Sequence, residues 1–270
     1  MPVLFRDDTP IERYRLTRCS VFVKRDDLYA GPPAPPLAKL RGAMNLLSRL
    51  YSEGTRLVGC WDTRISALGQ GIAACCSTFS GMKAIVAYPK AQGSDEPAPI
   101  AKARELGGEV LPVVAGRITI SFAAARRQIV DRGGAMLPFG LECAESVASV
   151  AQAAATVPPP CRHWCTTVVV SVGSGVTLAG LVRGLRGKPS RFVGVSSGRS
   201  ADSIQRCLSR YGIEKSRSIR LIPAREAYYV PIDYECPFPS HPHYDRKAWR
   251  YLAENVKLLE APLFFWNVGA

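Results

Sequence analysis

Residues 166 to 180 read Thr-Thr-Val-Val-Val-Ser-Val-Gly-Ser-Gly-Val-Thr-Leu-Ala-Gly. The apolar run Thr166 to Val172 predicts a β-strand that is buried on both faces, as in a parallel sheet. Glycines follow at 173 and 175, and the pattern from Thr177 to Leu185 predicts a helix directly after them. Such a turn brings backbone N–H groups and the positive end of a helix together at one point, which suits a phosphate group.

Two common phosphate-binding motifs do not fit this turn. The dinucleotide pattern Gly-x-Gly-x-x-Gly needs an acidic residue about twenty positions later, whereas residues 193 to 198 read Val-Gly-Val-Ser-Ser-Gly. A P-loop is excluded because the turn contains no Gly-Lys-Ser or Gly-Lys-Thr. The turn is therefore a candidate site for another phosphate group, and a turn without a ligand is the alternative.

Strand and helix patterns alternate on both sides of this segment. The other predicted strands are Ile11 to Leu16, Ser20 to Val23, Arg56 to Cys60, Lys83 to Ala87, Glu109 to Val114, Ala135 to Leu137, Phe192 to Val195, Ile219 to Ile222 and Pro262 to Trp266. The other predicted helices are Ala43 to Tyr51, Ser66 to Phe79, Ile100 to Leu106, Ser121 to Asp131, Cys143 to Ala155, Ser203 to Tyr211 and Asp245 to Lys257. This alternation implies an α/β fold with parallel sheets and right-handed crossovers.

Composition indicates a soluble globular protein. The 270 residues are 47% hydrophobic, and neither a signal peptide nor an apolar run of about 18 residues is present, so we expect a cytoplasmic protein without a membrane segment. The nine cysteines lack the spacing of a disulfide framework. We expect no metal site, because the segment Cys161 to Cys165 has no second ligand pair at zinc spacing.

Basic residues are concentrated in one segment. The net charge is +13, and the stretch from Arg183 to Arg225 carries +9 of it, with eleven basic residues against two acidic ones. Such a concentration favours binding to a phosphate backbone; a basic face that serves solubility is the alternative. The residues that we select as candidate DNA contacts are Arg183, Arg186, Lys188, Arg199, Arg206, Arg210 and Arg217.

A second candidate site lies near the N-terminus, in the segment Pro35-Pro36-Leu37-Ala38-Lys39-Leu40-Arg41-Gly42. Lys39 follows a stiff proline loop and begins an apolar helical pattern, a position that suits an amine nucleophile. A solvated surface lysine is the alternative that these residues leave open.

Taken in order, these motifs resemble those of the pyridoxal-phosphate (PLP) enzymes of the tryptophan synthase β-like fold, known as fold type II. The resemblance is to the branch of D-cysteine desulfhydrases and aminocyclopropane-carboxylate deaminases. Val23 to Leu28 is similar to the opening strand, Lys39-Leu40-Arg41 to the lysine motif, and Gly173 to Gly180 to the phosphate loop. Leu263 to Ala270 resembles the last strand and glycine turn, and Tyr244 to Ala248 the helix before it.

The resemblance implies a two-domain fold with helices on both faces of parallel-sheet-centred domains. A large cofactor-binding domain would comprise residues 1–42 and 157–270, and a small substrate-loop domain residues 43–156, with the run Val157-Pro158-Pro159-Pro160 as a crossing between them. It also implies PLP as cofactor and a homodimer as the assembly.

The resemblance further implies a role for each matched residue. Lys39 would bind the cofactor covalently and then act as acid and base at the substrate Cα. Gly173, Ser174, Gly175, Val176 and Thr177 would hold the cofactor phosphate. Asn267 would face the pyridine nitrogen, where a neutral side chain stabilises a pyridinium less than a carboxylate does. A weaker electron sink favours elimination over decarboxylation.

Two segments depart from the family pattern. The asparagine that normally precedes the lysine is Ala38, and the loop that binds the substrate carboxylate reads Trp-Asp-Thr-Arg-Ile-Ser-Ala-Leu-Gly-Gln-Gly at 61–71. We therefore expect a diverged substrate. The candidate substrate contacts are Asp62, Thr63, Arg64, Ser66 and Gln70. As an alternative, Asp62 and Arg64 form a surface ion pair.

These observations predict a PLP-dependent lyase that acts at the Cα of an amino acid. The altered loop and the basic segment favour decarboxylation of an amino acid attached to thymine in double-stranded DNA, as in a bacteriophage enzyme of DNA hypermodification that works in the host cytoplasm. One alternative is a deaminase or desulfhydrase-type lyase of a small free amino acid. The other is a non-catalytic binding protein with the same fold, against which the presence of Lys39 argues.

Overall fold

The structure is a computed structural model that describes residues 3–16, 19–158, 166–185 and 191–270. These residues form two compact units. The first unit comprises Met1–Phe5 and Ala30–Leu141, and the second comprises Arg6–Tyr29 and Glu142–Ala270. Within the described ranges no helix is long and apolar enough to span a membrane.

The described elements alternate along the chain as the sequence patterns predict. The strands are β1 (Ile11–Leu16), β2 (Cys19–Arg25), β3 (Leu57–Trp61), β4 (Lys83–Lys90), β5 (Glu109–Val114), β6 (Ala135–Met136), β7 (Thr167–Val172), β8 (Arg191–Ser196), β9 (Ile219–Pro223) and β10 (Leu263–Asn267). The α-helices are α1 (Leu40–Ser52), α2 (Leu68–Cys76), α3 (Ala98–Glu105), α4 (Ile118–Asp131), α5 (Ala144–Ala155), α6 (Val176–Gly184), α7 (Ala201–Arg210) and α8 (Asp245–Glu254).

The second unit is built on a six-stranded sheet with the order β1-β2-β10-β7-β8-β9. Strand β1 runs antiparallel to β2, and the remaining pairs are parallel. Every residue of β7 is buried, because Val168 and Val170 pack with α5, α6 and α7 on one face and Val169 packs with Trp249 of α8 on the other. Two covered faces explain why this strand is apolar throughout.

Parallel pairing places the ends of β2, β7, β8, β9 and β10 at one edge of this sheet, which we call the carboxyl edge. Val172 is paired with Ser196, and Trp266 is paired with Val170. The glycine turn after β7, the segment after β8 and the last residue of β10 therefore lie side by side. Ligands of open α/β sheets commonly bind at this edge.

The first unit contains a four-stranded parallel sheet with the order β5-β4-β3-β6. Helices α1 and α2 contact each other, and α2 also packs against α3 and β4. Lys39 lies directly before α1, and Asp62 directly after β3. The unit thus presents both residues at ends of regular elements.

The α/β class with parallel sheets is confirmed. The division of the chain into units differs from the predicted boundaries at 42/43 and 156/157, since the compact units change at 29/30 and 141/142. Packing accounts for the difference: α1 contacts α2 of the first unit, and α5 contacts α6 of the second. The segment Cys161 to Cys165, together with Arg186 and Lys188, lies outside the described residues.

Candidate functional site

Lys39 is a half-buried residue at the N-terminal end of α1, with φ −58° and ψ −19°. The proline loop before it is held by Gln70, whose Nε2 donates a hydrogen bond to the Pro33 carbonyl oxygen at 3.3 Å. The predicted substrate residue Gln70 thus connects α2 to the loop that presents Lys39.

Asp62 is a buried carboxylate that organises the loop after β3. Its side chain accepts hydrogen bonds from the N–H groups of Gly69, at 2.5 Å, and Thr63, at 2.8 Å. Burial raises the pKa of Asp62 from 3.8 to about 7, although the hydrogen bonds from Gly69, Ser66 and Thr63 and the charge of Lys39 each lower it. Asp62 is therefore a group that titrates near neutral pH within the electrostatic reach of Lys39.

The other predicted substrate residues of this loop have separate surroundings. Ser66 interacts with Asp62 and accepts the Leu68 N–H at 3.2 Å. The Thr63 hydroxyl is buried without a hydrogen-bond partner among the described residues. Arg64 is exposed and donates to Ser94 Oγ and to the Asp95 carbonyl oxygen. The alternative of an Asp62–Arg64 surface ion pair is wrong, because Asp62 is buried and bound to backbone N–H groups.

The glycine turn of the second unit leaves the start of α6 open. Gly175 precedes the helix with φ +106°, a left-handed conformation that strains any other residue. No side chain caps α6, so its first N–H groups have no partner within the helix. A Cβ atom built on Gly173 would meet nothing within 4 Å. The turn thus provides uncapped helix N–H groups, with open space at Gly173, at the carboxyl edge.

Asn267 is a fully buried residue at the end of β10. Its Nδ2 donates to the Pro239 carbonyl oxygen at 3.0 Å, and its Oδ1 is buried with no hydrogen-bond partner in the described part of the chain. A carbonyl oxygen only accepts, so the amide cannot be turned around without losing this bond. Asn267 therefore presents an unsatisfied acceptor beside the second N–H of its Nδ2.

Ser197 is a polar residue of the carboxyl edge that was not among the predicted site residues. Its N–H donates to the Val172 carbonyl oxygen at 3.3 Å, and its buried Oγ has no partner among the described residues. Ser197 therefore lies beside the glycine turn as a further polar group. The available signal was the Ser-Ser-Gly sequence at 196–198, directly after a predicted parallel strand.

Those of the selected basic residues that the structure describes do not form one group at the carboxyl edge. Arg199 and Arg210 both bind Glu142, and Arg183 donates to the Tyr211 carbonyl oxygen at 2.5 Å. Arg183, in the last turn of α6, and Arg217, before the start of β9, lie toward the opposite edge of the sheet. Arg206 and Arg217 are exposed. DNA contacts by these residues stay a prediction.

With its parallel sheet, open glycine turn and helix-terminal lysine, this chain belongs to the pyridoxal-phosphate dependent enzyme family, which residues 4–227 match. Its cofactor is accordingly pyridoxal 5′-phosphate. Over 97% of its length the chain is 28% identical to the "Glycyl-dTMP PLP-dependent decarboxylase" of Pseudomonas phage M6, of which the match covers 99%.

Solved structures share the fold at low sequence identity. The chain is similar to an ACC deaminase homologue, with a TM-score of 0.81, 19% identity and coverage of 97% of this chain and 89% of the other. It is also similar to a threonine deaminase from T.th., with a TM-score of 0.72, 17% identity and coverage of 97% and 92%. These likenesses confirm the expected fold type II architecture.

Proposed function

We propose that this enzyme decarboxylates an amino acid carried on a thymine nucleotide, and that the nucleotide is part of DNA. The observation that carries the proposal is the nearly full-length similarity to a decarboxylase of glycyl-dTMP. The net charge of +13 supports a polyanionic substrate. The divergent loop at 61–71 is consistent with a substrate unlike the small free amino acids.

The residues described above fit PLP on chemical grounds. The open N–H groups of the turn Gly173 to Thr177 suit its phosphate, and the orphaned acceptor of Asn267 suits a protonated ring nitrogen. Lys39 would supply the amine for covalent attachment. When bound, PLP supplies an electron sink for the charge that develops at the substrate Cα.

The orientation of Asn267 supports decarboxylation. Its Nδ2 already donates one hydrogen bond to Pro239 whereas its Oδ1 has no partner, so we assign Oδ1 to the cofactor ring, where an acceptor favours a ring nitrogen that carries a proton. A protonated ring withdraws electrons more strongly than a neutral one. The expectation that a neutral side chain disfavours decarboxylation is therefore offset by the way this amide is held.

Lys39 and Asp62 would manage the proton of the reaction. Decarboxylation breaks the bond between Cα and the carboxylate, releases CO₂, and forms a new C–H bond at Cα. We assign delivery of that proton to Lys39 Nζ. Asp62, with a pKa of about 7, would hold a proton in reserve near the lysine.

The test offers the PLP-loaded enzyme two substrates, glycyl-dTMP and a duplex oligonucleotide that contains the same modified thymine, and measures CO₂. We expect CO₂ from both, faster from the duplex, and none with Lys39→Ala. Release of ammonia and a keto acid from small free amino acids, without CO₂ from either nucleotide substrate, would instead establish the alternative lyase. Reaction with glycyl-dTMP but not with the duplex would refute the DNA part of the proposal.

A further inference from the structure

The segment after β9 crosses the carboxyl edge of the second unit. Its first contact is a hydrogen bond from the Ala224 N–H to the Ser196 carbonyl oxygen at 2.8 Å, at the end of β8. Tyr228 then lies over Gly198, where an added Cβ atom would be 2.9 Å from the tyrosine Cβ. Gly198 has φ +147°, so this close approach depends on glycine.

Three consecutive large apolar side chains of this segment are exposed, and we call them the tyrosine platform. Tyr228 is 41%, Tyr229 64% and Val230 38% exposed. The two tyrosine rings meet edge to face, with centroids 5.7 Å apart and an interplanar angle of 86°. Exposed large apolar side chains that are grouped in this way commonly mark a binding surface.

The backbone beneath the platform is anchored by hydrogen bonds. The buried Lys247 donates from Nζ to the Ala227 carbonyl oxygen at 2.7 Å, and His243 Nδ1 lies 3.2 Å from the Tyr228 carbonyl oxygen. The Val230 N–H bonds to the Ala227 carbonyl oxygen at 3.1 Å. The backbone that carries the two exposed rings is thus fixed by hydrogen bonds.

The platform adjoins the groups that we assign to the cofactor. Gly198 is the neighbour of Ser197, whose N–H bonds to Val172, the residue before the glycine turn. The same long connection returns at Pro239, which holds Asn267, and at His241, whose N–H bonds to the Gly269 carbonyl oxygen at 3.0 Å. A ligand on the platform would therefore lie next to the proposed cofactor-binding residues of this unit.

We propose that Tyr228 and Tyr229 receive the modified thymine after it leaves the DNA duplex, so that one ring stacks on the face of the base and the other, perpendicular to it, contacts the edge of the base. The inference rests on the proposed function, because enzymes that do chemistry on a base extrude it from the duplex to reach the target atom. Aromatic side chains are the usual surfaces on which extruded or single-stranded bases stack. The base would bring its amino acid to the carboxyl edge.

A second copy of this chain fits the platform less well than a base. A stable protein interface buries about 800 Å² and roughly 20 to 30 residues on each side, whereas the platform comprises three side chains. The exposed residues that follow it are Pro231, Asp233 and Glu235. The two carboxylates keep the apolar surface from extending beyond the platform. A single planar base fits the corner that the two perpendicular rings form.

The experiment uses the PLP-loaded enzyme and a duplex in which 2-aminopurine is paired with the modified thymine, so that fluorescence rises when the thymine leaves. The variants are Tyr228→Ala/Tyr229→Ala and Tyr228→Phe/Tyr229→Phe. The control is Leu258→Ala, which removes a 79% exposed side chain after α8, at the opposite edge of the sheet. PLP absorbance of each variant verifies that it is folded and loaded.

We expect the double alanine variant to bind the duplex about tenfold more weakly or worse and to lose most of the fluorescence rise, by the usual strength of base stacking. The double phenylalanine variant and Leu258→Ala should behave as the wild type does. Unchanged binding and fluorescence in the double alanine variant would overturn the proposal, as would a change from dimer to monomer with duplex binding intact. CO₂ release from glycyl-dTMP by the wild type tests the proposed function separately, because it needs no extrusion.

Discussion

The buried carboxyl group of Asp62 makes the stability of the cofactor-free protein depend on pH, and Asp62→Asn is expected to remove that dependence. Burial raises the pKa of Asp62 from 3.8 to about 7 against the opposing effect of its hydrogen bonds and of Lys39. Between these two values the native protein keeps a proton that the unfolded chain has released. The free energy of unfolding therefore falls as the pH rises through this range.

The size of the effect follows from the shift in pKa. Each pKa unit corresponds to about 1.4 kcal/mol, so the full shift is worth about 4 kcal/mol once the pH exceeds the folded pKa. Part of this loss has already occurred at a pH of about 5. The wild type should therefore lose about 2 to 3 kcal/mol more than Asp62→Asn between about pH 5 and about pH 8.

Urea unfolding of the two cofactor-free proteins at both pH values measures this difference directly. Asp131→Asn is the matched control, because Asp131 is an exposed carboxylate at the end of α4 in the same unit. The control should follow the wild type. If wild type and Asp62→Asn change in parallel with pH, Asp62 is not held in a raised-pKa environment and its assignment as a proton reserve fails.

Lys39→Ala should abolish the visible absorbance band of the lysine-bound cofactor together with CO₂ release, and a retained band would exclude Lys39 as the attachment point. Gly175→Ala should lower the free energy of unfolding in urea by about 1 to 3 kcal/mol, because φ is +106° there. Gly173→Ala should mainly weaken PLP binding, because its Cβ atom would lie in open space. Equal free energies of unfolding for the two variants would contradict this. In NMR spectra of enzyme loaded with ¹⁵N-labelled PLP, the ring nitrogen should be protonated in the wild type and not in Asn267→Leu, and identical ¹⁵N shifts would disprove the proposed hydrogen bond. Duplex affinity should fall steeply with salt, by roughly one log-log unit per phosphate contact; no binding at about 50 mM salt would remove DNA as a partner.

Local sequence patterns were sufficient to predict the helices and strands and to identify the family. The valine run of β7 and the glycine turn after it depend on near neighbours in the chain, and the structure places both where the pattern predicts them. The same holds for Lys39, which lies between the proline loop and α1. Hydrophobic periodicity and turn residues carry this information because strand and helix geometry impose it over short distances.

Long-range partners were not predictable from these patterns. Asp62 and Arg64 are two residues apart and suggest an ion pair, yet Asp62 binds the Gly69 N–H and Arg64 reaches Ser94, thirty residues away. The basic segment illustrates the same limit, since Glu142 binds two of its arginines from 57 and 68 residues away. Charges that look free in the sequence are thus partly neutralised in the fold.

What the sequence by itself determined is the order of strands and helices, the PLP family, and the residues Lys39, Gly173 to Thr177 and Asn267 as candidates for its cofactor. The tertiary structure decided the surroundings of the site residues. Pro239 orients the Asn267 amide, burial raises the pKa of Asp62 to about 7, and Gly198 allows Tyr228 to cross the carboxyl edge. The physical reason is that hydrogen-bond direction, desolvation and close approach depend on atoms distant in the chain, which only folding brings together.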